Sequence, residues 1–191
     1  MQHWRARSSA ILTGVGTVLA DDPRLDVRAP EADAAQTRQP LRVLLDRRLR
    51  TPPAARLLGT GGDVLIFTEL AALADAARGA ALGARGARIE SLPADGERLA
   101  LGAVLERLGE LEVNELLVEA GPTLSGELVR QSLVDELLIY LAPKLLGEQA
   151  LPLVRLPELL QLDEAPAFAL RESRPLGDDL RLLLWPRSAG G

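Results

Sequence analysis

The 191 residues are 47% apolar and 26% charged with only 3% aromatics, enough for one domain with a core of Leu, Val, Ile and Ala. No cysteine is present and His3 is the one histidine, which excludes a disulfide framework, a thiolate zinc site and a cysteine nucleophile, and disfavours a Ser-His-Asp triad or any multi-histidine metal centre. A net charge of −5 without a basic stripe argues against nucleic acid, and the lack of a run of about 18 apolar residues or a signal-type N-terminus leaves the cytoplasm, not a membrane, as the expected compartment.

Short apolar runs alternate with amphipathic stretches. Arg7 to Thr13 reads as a strand, as do Leu41 to Asp46 and Val64 to Thr68. Leu70 to Leu82 is Ala-rich and helical, with Gly83 as its stop. Ala87 to Leu92 is a short strand. Leu101, Val104, Leu105 and Leu108 have helical spacing within Leu99 to Leu111. Glu115 to Glu119 is a strand, Pro122 to Ser132 a helix and Val134 to Leu141 a long strand. Phe168 to Arg174 and Leu180 to Trp185 form a pair turned at Gly177-Asp178-Asp179. This alternation predicts an α/β fold with a mostly parallel sheet, helices on both faces and a C-terminal antiparallel strand pair. No linker is visible, so residues 1–187 read as one domain. Pro30 to Pro40 reads as a mobile loop and Ser188 to Gly191 as a disordered tail.

Two glycine corners carry the chemistry. In Leu116-Leu117-Val118-Glu119-Ala120-Gly121-Pro122-Thr123-Leu124-Ser125-Gly126-Glu127, a strand ends on a carboxylate, a glycine turns the chain, and a proline opens a helix. Such a terminus is a ready anion site at the carboxyl end of a strand; it can equally be a plain helix start. In Thr13-Gly14-Val15-Gly16-Thr17, glycines again follow a strand and allow close backbone approach. Thr17 offers a hydroxyl, Asp21 and Asp22 offer carboxylates, and Arg28 offers a fork of donors for phosphate. The bland reading is a tight turn into a short helix. Neither the dinucleotide fingerprint G-x-G-x-x-G nor a P-loop is present, which disfavours a standard Rossmann domain.

Taken together, Thr13 to Val18, Asp21-Asp22-Pro23-Arg24-Leu25 and Val27-Arg28 resemble the first motif of the riboflavin-biosynthesis reductases. These are usually the C-terminal half of a bifunctional pyrimidine deaminase/reductase. Val118 to Leu124 resembles their second motif. Leu133 to Leu137 and Ala142-Pro143-Lys144-Leu145-Leu146-Gly147 resemble the third, and Pro40 to Asp46 their middle strand. The resemblance implies a dihydrofolate-reductase-like fold, NADPH as cofactor and a homodimer. It implies reduction of the ribosyl group of 5-amino-6-(5-phosphoribosylamino)uracil to a ribityl chain, with the protein supplying position and field. Thr17, Asp21, Arg47 and the run Gly121, Pro122, Thr123, Leu124, Ser125, Gly126 and Glu127 would contact the cofactor; the family often has a serine at the position of Arg47. Arg5, Leu25, Arg28 and Glu119 would face the substrate, the arginines suiting its phosphate. Asp21 or Glu119 would relay a proton through water.

The chain departs from the family twice. Without cysteine it cannot hold the deaminase zinc, so a deaminase would be a separate or fused partner. The strand and loop that the family carries before the position of Gln2, with a Ser-Leu-Asp-Gly-like turn and a Ser-x-Trp-like segment, have no match. The resemblance places that strand in the centre of the sheet. Its loss would be costly in a domain stable by only about 5–15 kcal/mol. The expectation is therefore that Met1 is a misassigned start or the chain a fragment, impaired as a reductase. The alternatives are a noncatalytic fragment and a related dihydrofolate-reductase-like enzyme acting on another pyrimidine or pteridine.

Overall fold

The computed structural model describes residues 1–28 and 37–187, so residues 30–36 of the expected loop and the 188–191 tail lie outside it. The chain divides into two compact units, Met1–Gly121 and Pro122–Gly191.

The first unit is built on a five-stranded sheet in the order β4-β3-β2-β1-β7. Its strands are β1 (Ala10–Gly14), β2 (Leu41–Leu45), β3 (Val64–Thr68), β4 (Ala87–Ser91) and β7 (Leu116–Val118). All pairings are parallel, with Leu12 opposite both Val43 and Val118. Parallel strands covered on both faces read as unbroken apolar runs, and every residue of β3 is buried. One face packs Leu44, Ile66, Leu49 and Leu57 against Val18 of α2 (Val15–Asp21) and Leu82 of α3 (Ala76–Gly83). The other packs Leu12, Val43, Leu65 and Phe67 against Val104 and Leu108 of α4 (Leu101–Glu110). Each such side chain contributes roughly 1.5–3 kcal/mol by leaving water. The expected mostly parallel sheet with helices on both faces is therefore present in this unit.

Local differences have local causes. Arg7, expected to open the first strand, instead closes α1 (Gln2–Arg7), and β1 begins at Ala10; Ser8 ends the helix, donating its hydroxyl to the Trp4 carbonyl at 2.8 Å. Leu70 to Leu82 is not one helix. A 3-10 turn covers Leu70–Ala74, and Asp75 then caps α3 by accepting from Arg78 N at 3.0 Å, the ordinary behaviour of an N-cap aspartate. Gly83 is the last residue of α3, and the left-handed turn falls on Gly86, with φ of 84°. A small hairpin, β5 (Ala94–Asp95) with β6 (Arg98–Leu99), turns at Gly96, with φ of 58°. Its Asp-Gly pair is the signal the sequence offered and the strand reading passed over.

Arg42 interrupts the apolar pattern of β2. It is 1% exposed. Its Nη1 donates to the Leu57 carbonyl at 2.6 Å and to the Thr60 hydroxyl, and its Nη2 donates to the carbonyls of Thr60, Gly61 and Gly62 at 2.9, 2.8 and 2.6 Å. Burial lowers its pKa from the ordinary arginine value.

The second unit opens with α5 (Pro122–Arg130) and holds a three-stranded antiparallel sheet in the order β8-β10-β9. The strands are β8 (Leu137–Leu141), β9 (Phe168–Leu176) and β10 (Asp179–Pro186). The expected closing pair is β9 and β10, joined through Gly177 at φ of 64°, and β8 adds to β10. Arg171 stacks over the Trp185 ring at 4.0 Å. On α5, Gly126 is buried beneath the backbone of Arg155, whose N–H donates to the Pro122 carbonyl at 2.9 Å.

Candidate active site

Because its strands run parallel, the first unit presents all their carboxyl ends along one edge, where open α/β sheets place ligands. Gly14 of β1 lies level with Leu45 of β2, and Leu45 with Phe67 of β3. Glu119 N donates to Leu12 O at 3.0 Å and extends the β1–β7 ladder to this edge. The two glycine corners meet here. A Cβ added to Gly121 would find only the Thr17 hydroxyl, at 3.9 Å, and one added to Gly16 would find nothing within 4 Å. Both corners therefore keep open backbone beside a hydroxyl, the surface a phosphate chain requires.

Beside the corners stands a charged clamp. Arg5 of α1 binds Glu119 through Nε–Oε1 and Nη2–Oε2, both 2.7 Å, and its Nη1 donates to the Asp26 carbonyl at 2.9 Å. The two side chains are 14% and 15% exposed. The hydrogen bonds to Glu119 raise the Arg5 pKa further, against the opposing effect of burial. A bidentate fork of this kind fixes orientation as well as charge. Gln39 holds the neighbouring segment, accepting from Val27 N and donating to Val27 O, both at 2.9 Å. Arg28 N donates to Gln2 of α1 at 2.8 Å, and the Arg28 side chain is exposed. Arg5, Glu119 and the Arg28 backbone thus converge on α1, although 114 residues separate the first two.

The remaining expected residues fall as follows. Leu25 is 3% exposed with a left-handed φ of 50°, a strained conformation for a leucine. The Asp-Asp pair divides its work. Asp22 ends α2 with φ of 42° and accepts from Arg56 N at 2.8 Å, whereas Asp21 is exposed and has no side-chain partner among the described residues. Arg47 follows β2 and is held by Glu69 at 2.6 Å; Glu69, at the end of β3, is a partner the sequence reading did not name. In the second unit Pro122 opens α5 as expected, Thr123 is exposed, and Leu124 and Ser125 are half-buried. Gly126 is covered by Arg155. Glu127 accepts from Arg130 Nη2 at 2.5 Å and from Gln131 at 2.6 Å, so its carboxylate is engaged by its own helix. Among the described residues no cluster of His, Asp or Glu could hold a metal, and no helix is long and apolar enough to cross a membrane.

Residues 1–182 match the RibD C-terminal domain family. The chain is 39% identical over 192 residues to the riboflavin biosynthesis protein RibD of Escherichia coli K12, covering 96% of this chain and 50% of that protein. It therefore spans about half the length of that relative. It is 31% identical to the 5-amino-6-(5-phosphoribosylamino)uracil reductase of Buchnera aphidicola, covering 98% of this chain and 91% of that one. Among solved structures, Acinetobacter baumannii RibD superposes with a TM-score of 0.84 at 32% identity, over 97% of this chain and 49% of that one. The fold is dihydrofolate-reductase-like, as the sequence motifs implied. On the match across residues 1–182 and the Buchnera relative, this chain belongs to the RibD C-terminal domain family.

Proposed function

We propose that this chain carries the reductase of riboflavin biosynthesis, using NADPH to reduce the ribosyl group of 5-amino-6-(5-phosphoribosylamino)uracil to the ribityl product. The observation that carries the reading is the carboxyl edge of the first unit. There Gly16, Thr17 and Gly121 leave an open cradle beside the Arg5–Glu119 clamp. The Buchnera relative is named for this activity. The residues present fit a reduced dinucleotide. Thr17, Asp21, Arg47 and Gly121 would hold it, with open backbone at Gly16 and Gly121 and a cationic donor at Arg47. When bound, the reduced nicotinamide supplies the hydride for C1′ of the sugar.

The chain's own residues bind and orient. Arg5 fixes both Glu119 oxygens toward itself, so Glu119 gives the substrate's polar groups an acceptor of set direction. Arg28 offers a guanidinium for the substrate phosphate. Leu25, buried in the stretch before Arg28, would line the substrate side. The proton that accompanies reduction is relayed through water by Asp21, the candidate carboxylate without a protein partner among the described residues. The same reading has the chain cytoplasmic, a homodimer, and working with a deaminase that is fused or separate, since it holds no cysteine for a deaminase zinc site.

The test is NADPH oxidation by this chain with the phosphoribosylamino-pyrimidine, alongside direct titration of the dinucleotide. Turnover that requires the substrate phosphate supports the reading. Failure to bind any reduced dinucleotide overturns it, and an Arg28→Ala variant with full affinity for the phosphorylated substrate removes the phosphate role of Arg28.

A further inference from the structure

Gln39 precedes a buried proline, and the residue before a proline is held to extended backbone. The glutamine is half-buried, so its carboxamide needs partners within the protein. It finds both on one residue. Its Oε1 accepts from Val27 N and its Nε2 donates to Val27 O, each at 2.9 Å. That is the two-bond exchange of an antiparallel strand pair, made here by a side chain. A reversed amide would set donor against donor and acceptor against acceptor, so Val27 fixes the orientation of the group.

Val27 is not held alone. The Asp26 carbonyl accepts from Arg5 Nη1 at 2.9 Å, and Arg28 N donates to Gln2 Oε1 at 2.8 Å. Three successive residues outside any strand are thus fixed at the backbone by side chains from α1 and from the approach to β2. The stretch follows Leu25, whose left-handed φ of 50° turns the chain. A surface segment does not need such bracing, because water satisfies its backbone groups. What the bracing delivers is Arg28, whose side chain is exposed and has no side-chain partner among the described residues.

Gln39 is itself seated. A Cβ on Gly62 would lie 2.8 Å from the Gln39 Cβ, and Gly62 has φ of 93°, so glycine alone leaves the room and makes the turn. The Gly62 carbonyl accepts from buried Arg42 at 2.6 Å. Arg42 therefore fixes the loop, the loop seats Gln39, and Gln39 fixes Val27, one residue from Arg28. Every link lies in the first unit.

We infer that Gln39 is a positioning residue for substrate recognition, bracing the backbone beside Arg28 so that this guanidinium meets the substrate phosphate in one place, with Gln2 as the second brace. The inference rests on the reading above that Arg28 meets that phosphate. Without the braces the segment would have to be ordered at the moment of binding, and affinity for the phosphate would fall by that ordering.

The experiment is calorimetric titration of the whole chain with the phosphoribosylamino-pyrimidine and with its dephosphorylated counterpart, for the wild type, Gln39→Ala, Gln2→Ala, Arg28→Ala and Gln39→Ala/Arg28→Ala, with kcat and KM for the same set. The wild type binds the phosphorylated compound more tightly. Gln39→Ala weakens that compound by roughly 5- to 20-fold, while the dephosphorylated one changes by less than about twofold. The loss falls on KM and leaves kcat within about twofold. In the Arg28→Ala background, Gln39→Ala adds less than about twofold, a non-additivity that a merely structural role would not produce. Gln2→Ala removes one exposed hydrogen bond and gives a smaller loss of the same kind, about two- to threefold, and it decides the matter if Gln39→Ala does not fold. Equal wild-type affinity for the two compounds, equal weakening of both by Gln39→Ala, an undiminished effect of Gln39→Ala without Arg28, or unchanged affinity in Gln2→Ala where Gln39→Ala does not fold overturns the inference and leaves the dinucleotide site standing. Binding of neither compound by the wild type overturns both the inference and the substrate reading.

Discussion

Arg42 and Arg47 stand five residues apart on β2 and its exit, and they do opposite things with the same chemical group. Arg42 spends both terminal nitrogens on oxygens of its own chain, from Leu57 to Gly62. Arg47 spends Nε on Glu69 and keeps its terminal nitrogens. The first is a fastener for a loop, and the second is a hand held in place by the wrist. All but one of the 22 basic residues here are arginines, so residue type alone distinguishes nothing. What distinguishes them is how many of the guanidinium donors the fold has already consumed.

The largest effect is expected where the comparison is sharpest. Arg42→Met removes the cation and leaves a ring of buried carbonyls facing one another, which should cost about 3 kcal/mol or more in urea unfolding. Dinucleotide affinity of the folded fraction should not change. A loss of affinity at unaltered stability would break the division between the two arginines.

Arg5 tests an intermediate case, since its donors are consumed by Glu119 and Asp26 at the site itself. Removing it leaves a half-buried carboxylate without its cation. A double-mutant cycle of Arg5→Ala with Glu119→Gln should give a coupling of roughly 1.5–3 kcal/mol in stability. Arg5→Ala should also lower kcat/KM for the phosphorylated pyrimidine. Coupling near zero would return Arg5 to the surface charges.

The smallest effect belongs to Arg107, whose donors go to part-buried Glu90 and exposed Glu110, both at 2.7 Å. Its hydrogen bond holds the Glu90 pKa below the ordinary carboxylate value of 4.5. Because the folded value is depressed, the stabilisation is complete above that ordinary value and is lost as pH falls through the lowered one. Arg107→Ala should therefore flatten a shallow acid dependence of unfolding, measurable at low ionic strength and screened away at about 1 M salt. A persistent effect at high salt would mean the pair is less exposed than it stands here.

Much of the first unit was legible because its strands announce themselves as short unbroken apolar runs. Val64–Thr68 was placed to the residue, Val104 and Leu108 did pack on the sheet, and Leu101 of the same helix is buried. Both glycine corners could be named, as local chemistry usually can. Non-local partnerships could not. Leu-Arg-Val-Leu-Leu reads as a strand with one solvated arginine, and nothing near Arg42 announces that carbonyls 15 to 20 residues later will enclose it. The Arg5–Glu119 fork spans 114 residues, so the family resemblance could assign both residues to the substrate side without showing that they hold each other. Leu25 and Leu49 were invisible as strained positions, because leucine carries no signal for a left-handed backbone. The break at Asp75 could have been read, since an aspartate inside an Ala-rich stretch is a cap as readily as a surface charge.

Gly126 sits in the run assigned to the cofactor, yet the space where its side chain would stand is filled by the Arg155 backbone. On the proposed function, a mutational scan scored by growth without riboflavin would find nearly every substitution there dead, and would rank the position beside Thr17 and Glu119. The same scan scored by protein abundance would separate them, with Gly126 variants vanishing from the cell and Thr17 variants accumulating as intact, idle protein.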